Sequence, residues 1–305
     1  MDLSRRQILA ALAGAALLSP GAVILDRAIA EASLPETTAW QPRAGEVQPA
    51  IKARAARLIE AVGAWTASAG TLSLARQRAV LAGFDPTHAS ALAGLLHPSA
   101  AAVVQVRDAQ FGGLLTSSAS VLVVVDQWTL GDDGTVHAGG ATFDVRLQRA
   151  SPHWRIVDVL PARPGAPADA LSRAAKRVLA DTRIQLPSSA KADVRAGRIH
   201  DSVLAMLSSM AASHVVDVSV LRSGHPLHVF GTSRTSDHPR GRAVDIWALD
   251  HRPLVVPGNH ALATWAMRAA VAHGAYNVGG PVRLSGRQYF SDLTHRDHVH
   301  LGFDA

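Results

Sequence analysis

Histidine, aspartate and glycine recur at fixed spacing late in the chain, as Ser236-x-His238-x-x-Gly241-x-Ala243-x-Asp245 and then Asp297-His298-x-His300. With each residue type at roughly one position in twenty, the five fixed positions of the first run coincide on the order of 10⁻⁴ times in a chain of this length. Val244 and Ile246 alternate with Ala243, Asp245 and Trp247, the pattern of a strand with one apolar face. Val299 and Leu301 alternate in the same way with His298 and His300. If these two strands pair antiparallel, Asp245 meets the histidines across the ladder. Pro239 and Gly241 allow a turn that brings His238 back to them. His238, Asp245 and His300 then supply two imidazoles and one carboxylate, a set suited to Zn²⁺ with a fourth position left for water.

Other polar residues surround this pattern. Arg234 and Arg240 flank the motif, where they can either meet a substrate carboxylate or stay solvated, and Asp292 and His295 are candidates for orienting ligands. His225 and His228 flank Pro226 and read as loop residues rather than as a second metal pair. His88, His97, His137 and His153 read as surface or turn histidines. The chain has no H-E-x-x-H motif, no phosphate-binding glycine loop and no nucleophile elbow.

The elements that must hold these residues follow from periodicity. Apolar residues at Ile51, Ala55, Leu58, Ile59 and Val62 predict a helix over 50–68, and a second is expected over 72–81. Strand-like runs cover 101–106, 120–130, 141–148 and 154–160, with a Gly131-Asp132-Asp133-Gly134 turn between two of them. Pro161, Pro164 and Pro167 mark a linker. Helices are expected over 168–179, 198–213 and 259–272, and a strand over 215–221. The expected class is α+β: a small helix-plus-antiparallel-sheet domain over 50–162, a linker over 163–170, and a second α+β domain over 171–305 that carries the metal motif. Residues 31–49, with Pro35, Pro42 and Pro49, read as a tether.

The S-x-H-x-x-G-x-A-x-D run with its distal H-x-H resembles the D-Ala-D-Ala metallopeptidases, which share a fold with the zinc domain of hedgehog proteins; the resemblance covers residues 196–305. It implies a zinc site at His238, Asp245 and His300, with Asp297 as the catalytic acid three residues before the last ligand. It further implies that His298 assists the attacking water or the oxyanion, that Arg222 steadies the oxyanion or a terminal carboxylate, and that Ser236 holds substrate. Leu221 stands where the family has Tyr or Phe, and Asp297 where its dipeptidases have Glu. Strict alternation aims Asp297 away from His298 and His300, which leaves His298 as the alternative base. The implied activity is an exported zinc peptidase, a D,D-carboxypeptidase or endopeptidase acting on peptidoglycan stem peptides. The alternative is a non-catalytic zinc-containing module that binds cell wall or a protein. The segment over 50–162 resembles the NTF2-like cone fold in its order of elements.

Composition narrows the classes further. With no cysteine, disulfide scaffolds, thiolate zinc sites, iron–sulfur clusters and cysteine nucleophiles are excluded. Glutamate occurs only at Glu31, Glu36, Glu46 and Glu60, so acid–base chemistry later in the chain must use aspartate or histidine. The net charge of +6 is carried almost wholly by arginine, scattered without a stripe or interleaved aromatics, which argues against nucleic acid as a partner. Ser4-Arg5-Arg6-Gln7-Ile8-Leu9, the apolar run after it and Ala28-Ile29-Ala30 resemble a twin-arginine export signal over 1–30 with a cleavage site. Membrane contact is expected only through that signal if it is uncleaved.

Overall fold

The structure, a computed structural model, describes residues 33–304. The segment read as an export signal lies outside the described residues. The fold is mixed α+β. Among the described residues, no helix is long and apolar enough to cross a membrane.

Helix α1 (Pro49–Gly63) begins with a proline in its first turn, where a missing N–H is harmless. It buries Ile51, Ala55, Leu58, Ile59 and Val62, the stripe its period requires, and Lys52 with them. The helix ends earlier than its apolar pattern suggests because Trp65 bridges to Ala102 in the sheet. Helix α2 (Leu72–Leu81) is capped by Thr71, whose hydroxyl accepts the Leu74 amide. Residues 33–48 lie along this part of the fold: Trp40 is buried, and its amide donates to Glu60.

Strands β1 (Ala101–Leu114), β2 (Ser118–Leu130), β3 (Val136–Gln148) and β4 (Arg155–Pro161) form an antiparallel meander in chain order. Val104, Phe111, Val121, Val123 and Phe143 pack with α1 into one core. Strand β1 runs well beyond Val106, where sequence alternation stops. Bulges at Arg107 and Gly112 absorb the irregularity and carry pairing on to Leu114. Past the first bulge Phe111 stands opposite Val121 on the core face, while Gln110 stands opposite Leu122 on the other face. That second face meets the C-terminal strands, where Leu122 and Val124 pack on Val220.

The C-terminal sheet combines β5 (Ile184–Gln185), β6 (Val216–Val220), β7 (Ala243–Leu249), β9 (Asn277–Gly279), β10 (Tyr289–Phe290) and β11 (Val299–Gly302) in the order β10-β9-β11-β7-β6-β5, with β8 (Arg252–Pro253) paired to β7. Helices α3 (Arg173–Ala180), α4 (Ser188–Arg195), α5 (Asp201–Met210) and α6 (His260–Ala272) complete this part. Val218, Val244, Ile246, Val299 and Leu301 pack with Leu204 and Leu207 of α5 and Met267 of α6. The alternate positions of β7 and β11 are thereby turned to the opposite side.

Candidate metal centre

Strands β7 and β11 pair antiparallel with His300 opposite Asp245, the juxtaposition that their alternation predicts. His238 arrives on a tight turn closed by the Gly241 amide, which donates to the His238 carbonyl at 2.8 Å. Gly241 has φ +70°, and a Cβ there would collide with the Arg198 carbonyl oxygen, so glycine is required at this point of the motif.

The three side chains converge. His238 Nε2 lies 3.1 Å from Asp245 Oδ1 and 3.1 Å from His300 Nδ1, and His300 Nδ1 lies 3.1 Å from the same Asp245 oxygen. All three residues are buried. The Nδ1–H of His238 donates to the Leu221 carbonyl at 2.5 Å, which turns Nε2 toward the carboxylate oxygen. Tetrahedral donors held near 2.0–2.2 Å from an ion stand about 3.3 Å apart, so this triangle fits a small divalent cation.

His225 joins them. Its ring stacks on His238 with centroids 4.1 Å apart and planes 16° apart, and its Nδ1 bonds the Pro226 carbonyl at 2.9 Å. Donor atoms of His225, His238 and Asp245 all lie within 4.8 Å of one another, and this group can hold a metal ion. The two sets share His238 and Asp245.

Electrostatics favour the ligand protonation states. Burial raises the Asp245 carboxyl, but His238 and His298 outweigh it and hold the group well below its usual range. Burial lowers His300 to about 4, and burial with the neighbouring His238 holds His225 well below the ordinary imidazole value. A neutral imidazole and an ionised carboxylate are the forms that bind metal.

The centre borders a cleft of ≈ 550 Å³ through His225 and His300, and the cleft is also lined by Arg234, Ser236 and Phe290 from the C-terminal part and Gly112–Leu115 from β1. Phe230 packs so closely on Gly113 that a Cβ there would collide with it. No protein-family model matches this chain, and neither a curated protein nor a solved structure is matched by it.

The remaining sequence candidates fall in different places. His298 reaches the triangle, with Nε2 3.6 Å from Asp245 Oδ1. Asp297 follows a short helical turn (Thr294–Arg296) rather than starting the strand, and its Oδ1 holds His298 Nδ1 at 2.6 Å. Its Oδ2 accepts the Phe111 amide at 3.0 Å and pairs with the Lys52 ammonium at 2.5 Å. Asp297 therefore meets the centre through His298. Burial lowers the His298 imidazole, but Asp245 and Asp297 outweigh it and push it up to about 9. Asp292 orients His295 at 2.8 Å, and both line the cleft. Arg234 and Ser236 also line it. Arg222 does not. Its Nε donates to the Pro239 carbonyl at 3.2 Å, bracing the turn that carries His238.

Sequence reasoning missed three residues here. His225 sits in a loop, where no periodicity marks it. Lys52 and Gln110 belong to the N-terminal part, which offered no convergent motif. Gln110 Nε2 donates to Asp245 Oδ2 at 2.6 Å.

Proposed function

We propose that the chain is an exported zinc-dependent peptidase, a D,D-carboxypeptidase or endopeptidase acting on the peptide stems of peptidoglycan. The observation that carries this reading is the 3.1 Å triangle of His238 Nε2, Asp245 Oδ1 and His300 Nδ1, beside a cleft that His300 lines. Two imidazoles and a carboxylate form a common catalytic zinc set. The resemblance of the motif residues to the D-Ala-D-Ala metallopeptidases, and of the N-terminus to a twin-arginine signal, supports the substrate class and the extracytoplasmic location.

When bound by His238, Asp245 and His300, zinc supplies Lewis-acid polarisation of a carbonyl and a nucleophile at neutral pH. The chain's own residues supply the rest. His298, held as an imidazolium at neutral pH, presents its Nε2–H toward the ligand triangle, where it steadies the developing oxyanion and gives its proton to the leaving amine. Asp297, on Nδ1 of the same ring, fixes its orientation and favours its protonated form. Ser236 and Arg234, on the cleft wall, bind the peptide, with the Arg234 guanidinium suited to a carboxylate.

A second reading, a non-catalytic zinc-containing module for wall peptide or protein, draws on one specific observation. Both oxygens of Asp297, the acid of the resemblance, are occupied by Lys52, the Phe111 amide and His298. Zinc-loaded full chain incubated with D,D-, L,D- and L,L-linked peptides decides between the two. Release of D-alanine from a stem peptide that stops in His298→Ala supports the peptidase. Binding of wall peptide without cleavage, unchanged in His298→Ala, supports the module.

A further inference from the structure

We infer that the helix-and-meander part of the fold is a working half of the metal centre, and that Gln110 is a positioning residue for the ligand Asp245. The inference rests on the metal reading above and assigns a role to a region that reading leaves without one.

A carboxylate that gives one oxygen to a metal must have the other held, or it rotates between one- and two-oxygen binding. Asp245 directs Oδ1 into the triangle, and Gln110 Nε2 donates to Oδ2 at 2.6 Å. The amide of Gln110 is itself fixed, because Ser219 Oγ donates to Gln110 Oε1 at 2.5 Å and, in an alternative arrangement of its proton, to the Asp245 carbonyl at 3.1 Å. An amide with its oxygen satisfied in this way has only its N–H₂ to offer the carboxylate. Gln110, Ser219 and Asp245 are all buried, so no solvent competes for these bonds.

The placement depends on the fold of β1. The bulge at Arg107 sets the face on which Gln110 emerges, and the contact of Leu122 and Val124 with Val220 brings that face onto the C-terminal strands. A second brace comes from the same region, because the Phe111 amide and Lys52 hold the far side of Asp297. Groups that orient metal ligands commonly set affinity as strongly as they set geometry.

The test is Gln110→Met in the full chain, which keeps the side chain's length and removes its hydrogen bonds. Affinity is measured by titration with Co²⁺ and Zn²⁺, and the Co²⁺ d–d absorption reports ligand geometry independently of turnover. Loss of metal affinity by roughly 10–100-fold, with an altered visible band and native circular dichroism, is the expected result. Wild-type affinity and an unchanged band overturn the inference while leaving the metal reading intact. Absence of metal binding by the wild-type chain overturns both. If Gln110→Met does not fold, Ser219→Ala decides: a weaker loss in the same direction sustains the inference, and wild-type affinity overturns it.

Discussion

The ammonium of Lys52 lies 2.5 Å from Oδ2 of Asp297, and both side chains are buried. Lys52 also holds the buried Glu46 carboxylate, so one cation serves two acids at the join between α1 and the metal centre. Removing one member of such a group leaves an uncompensated buried charge.

Lys52→Met is therefore expected to destabilise the full chain by about 3–5 kcal/mol, read from urea or guanidinium unfolding. Adding Asp297→Asn to it should recover part of the loss. An unfolding midpoint equal to wild type in Lys52→Met would show that the cluster contributes nothing.

Glu46 gives a pH dependence of defined sign. Burial pushes its carboxyl from the ordinary 4.5 up to about 7, against the pull of Lys52. The folded state then binds a proton that the unfolded state has released, so this contribution is complete below about 4.5 and is lost as pH rises through about 7. Glu46→Gln removes the titration. Its stability relative to wild type should increase by up to about 3 kcal/mol between about pH 4.5 and pH 8, at about 1.4 kcal/mol per unit. Parallel stability curves for the two proteins across that window would contradict the assignment.

Metal should bind one ion per chain and raise Tm, with about 2.7 kcal/mol of stabilisation when free metal is 100 times Kd. His238→Ala is expected to abolish stoichiometric binding, measured by elemental analysis after desalting. His225→Ala should weaken binding less than His300→Ala, because His300 stands at 3.1 Å from both other donors while His225 stacks on His238. The reverse order would move the ligand set to His225, His238 and Asp245.

On the peptidase reading, His298→Ala should retain metal and lose roughly 10²–10⁴-fold in kcat. Asp297→Asn should also keep the metal and lower kcat, since it acts through His298 Nδ1. Steady-state kinetics with parallel metal analysis separates this from loss of the ion.

The β7–β11 ladder is legible in the sequence because two-residue alternation assigns each histidine and aspartate a face, and the observed register follows. The orientation of Asp297 is legible only in part. Alternation points it away from the ligands, but only the preceding helical turn shows that it returns to His298 Nδ1. Gln110 is hidden for a physical reason: Arg107 and Asp108 break the apolar alternation, and a bulge that sequence does not announce carries the strand past them. Lys52 left a usable trace. It is one of only three lysines, with Lys176 and Lys191, and it falls on the apolar stripe of α1.

The cleft has one wall from β1 and another from segments around Phe230 and Phe290. Each wall belongs to a part with its own apolar core. The two parts meet at Leu122, Val124 and Val220, and again at the cleft where Phe230 packs on Gly113. Changing the bulk of those aliphatic side chains alters the join between the two parts without touching a histidine, so the shape of the cleft depends partly on residues that carry no chemistry of their own.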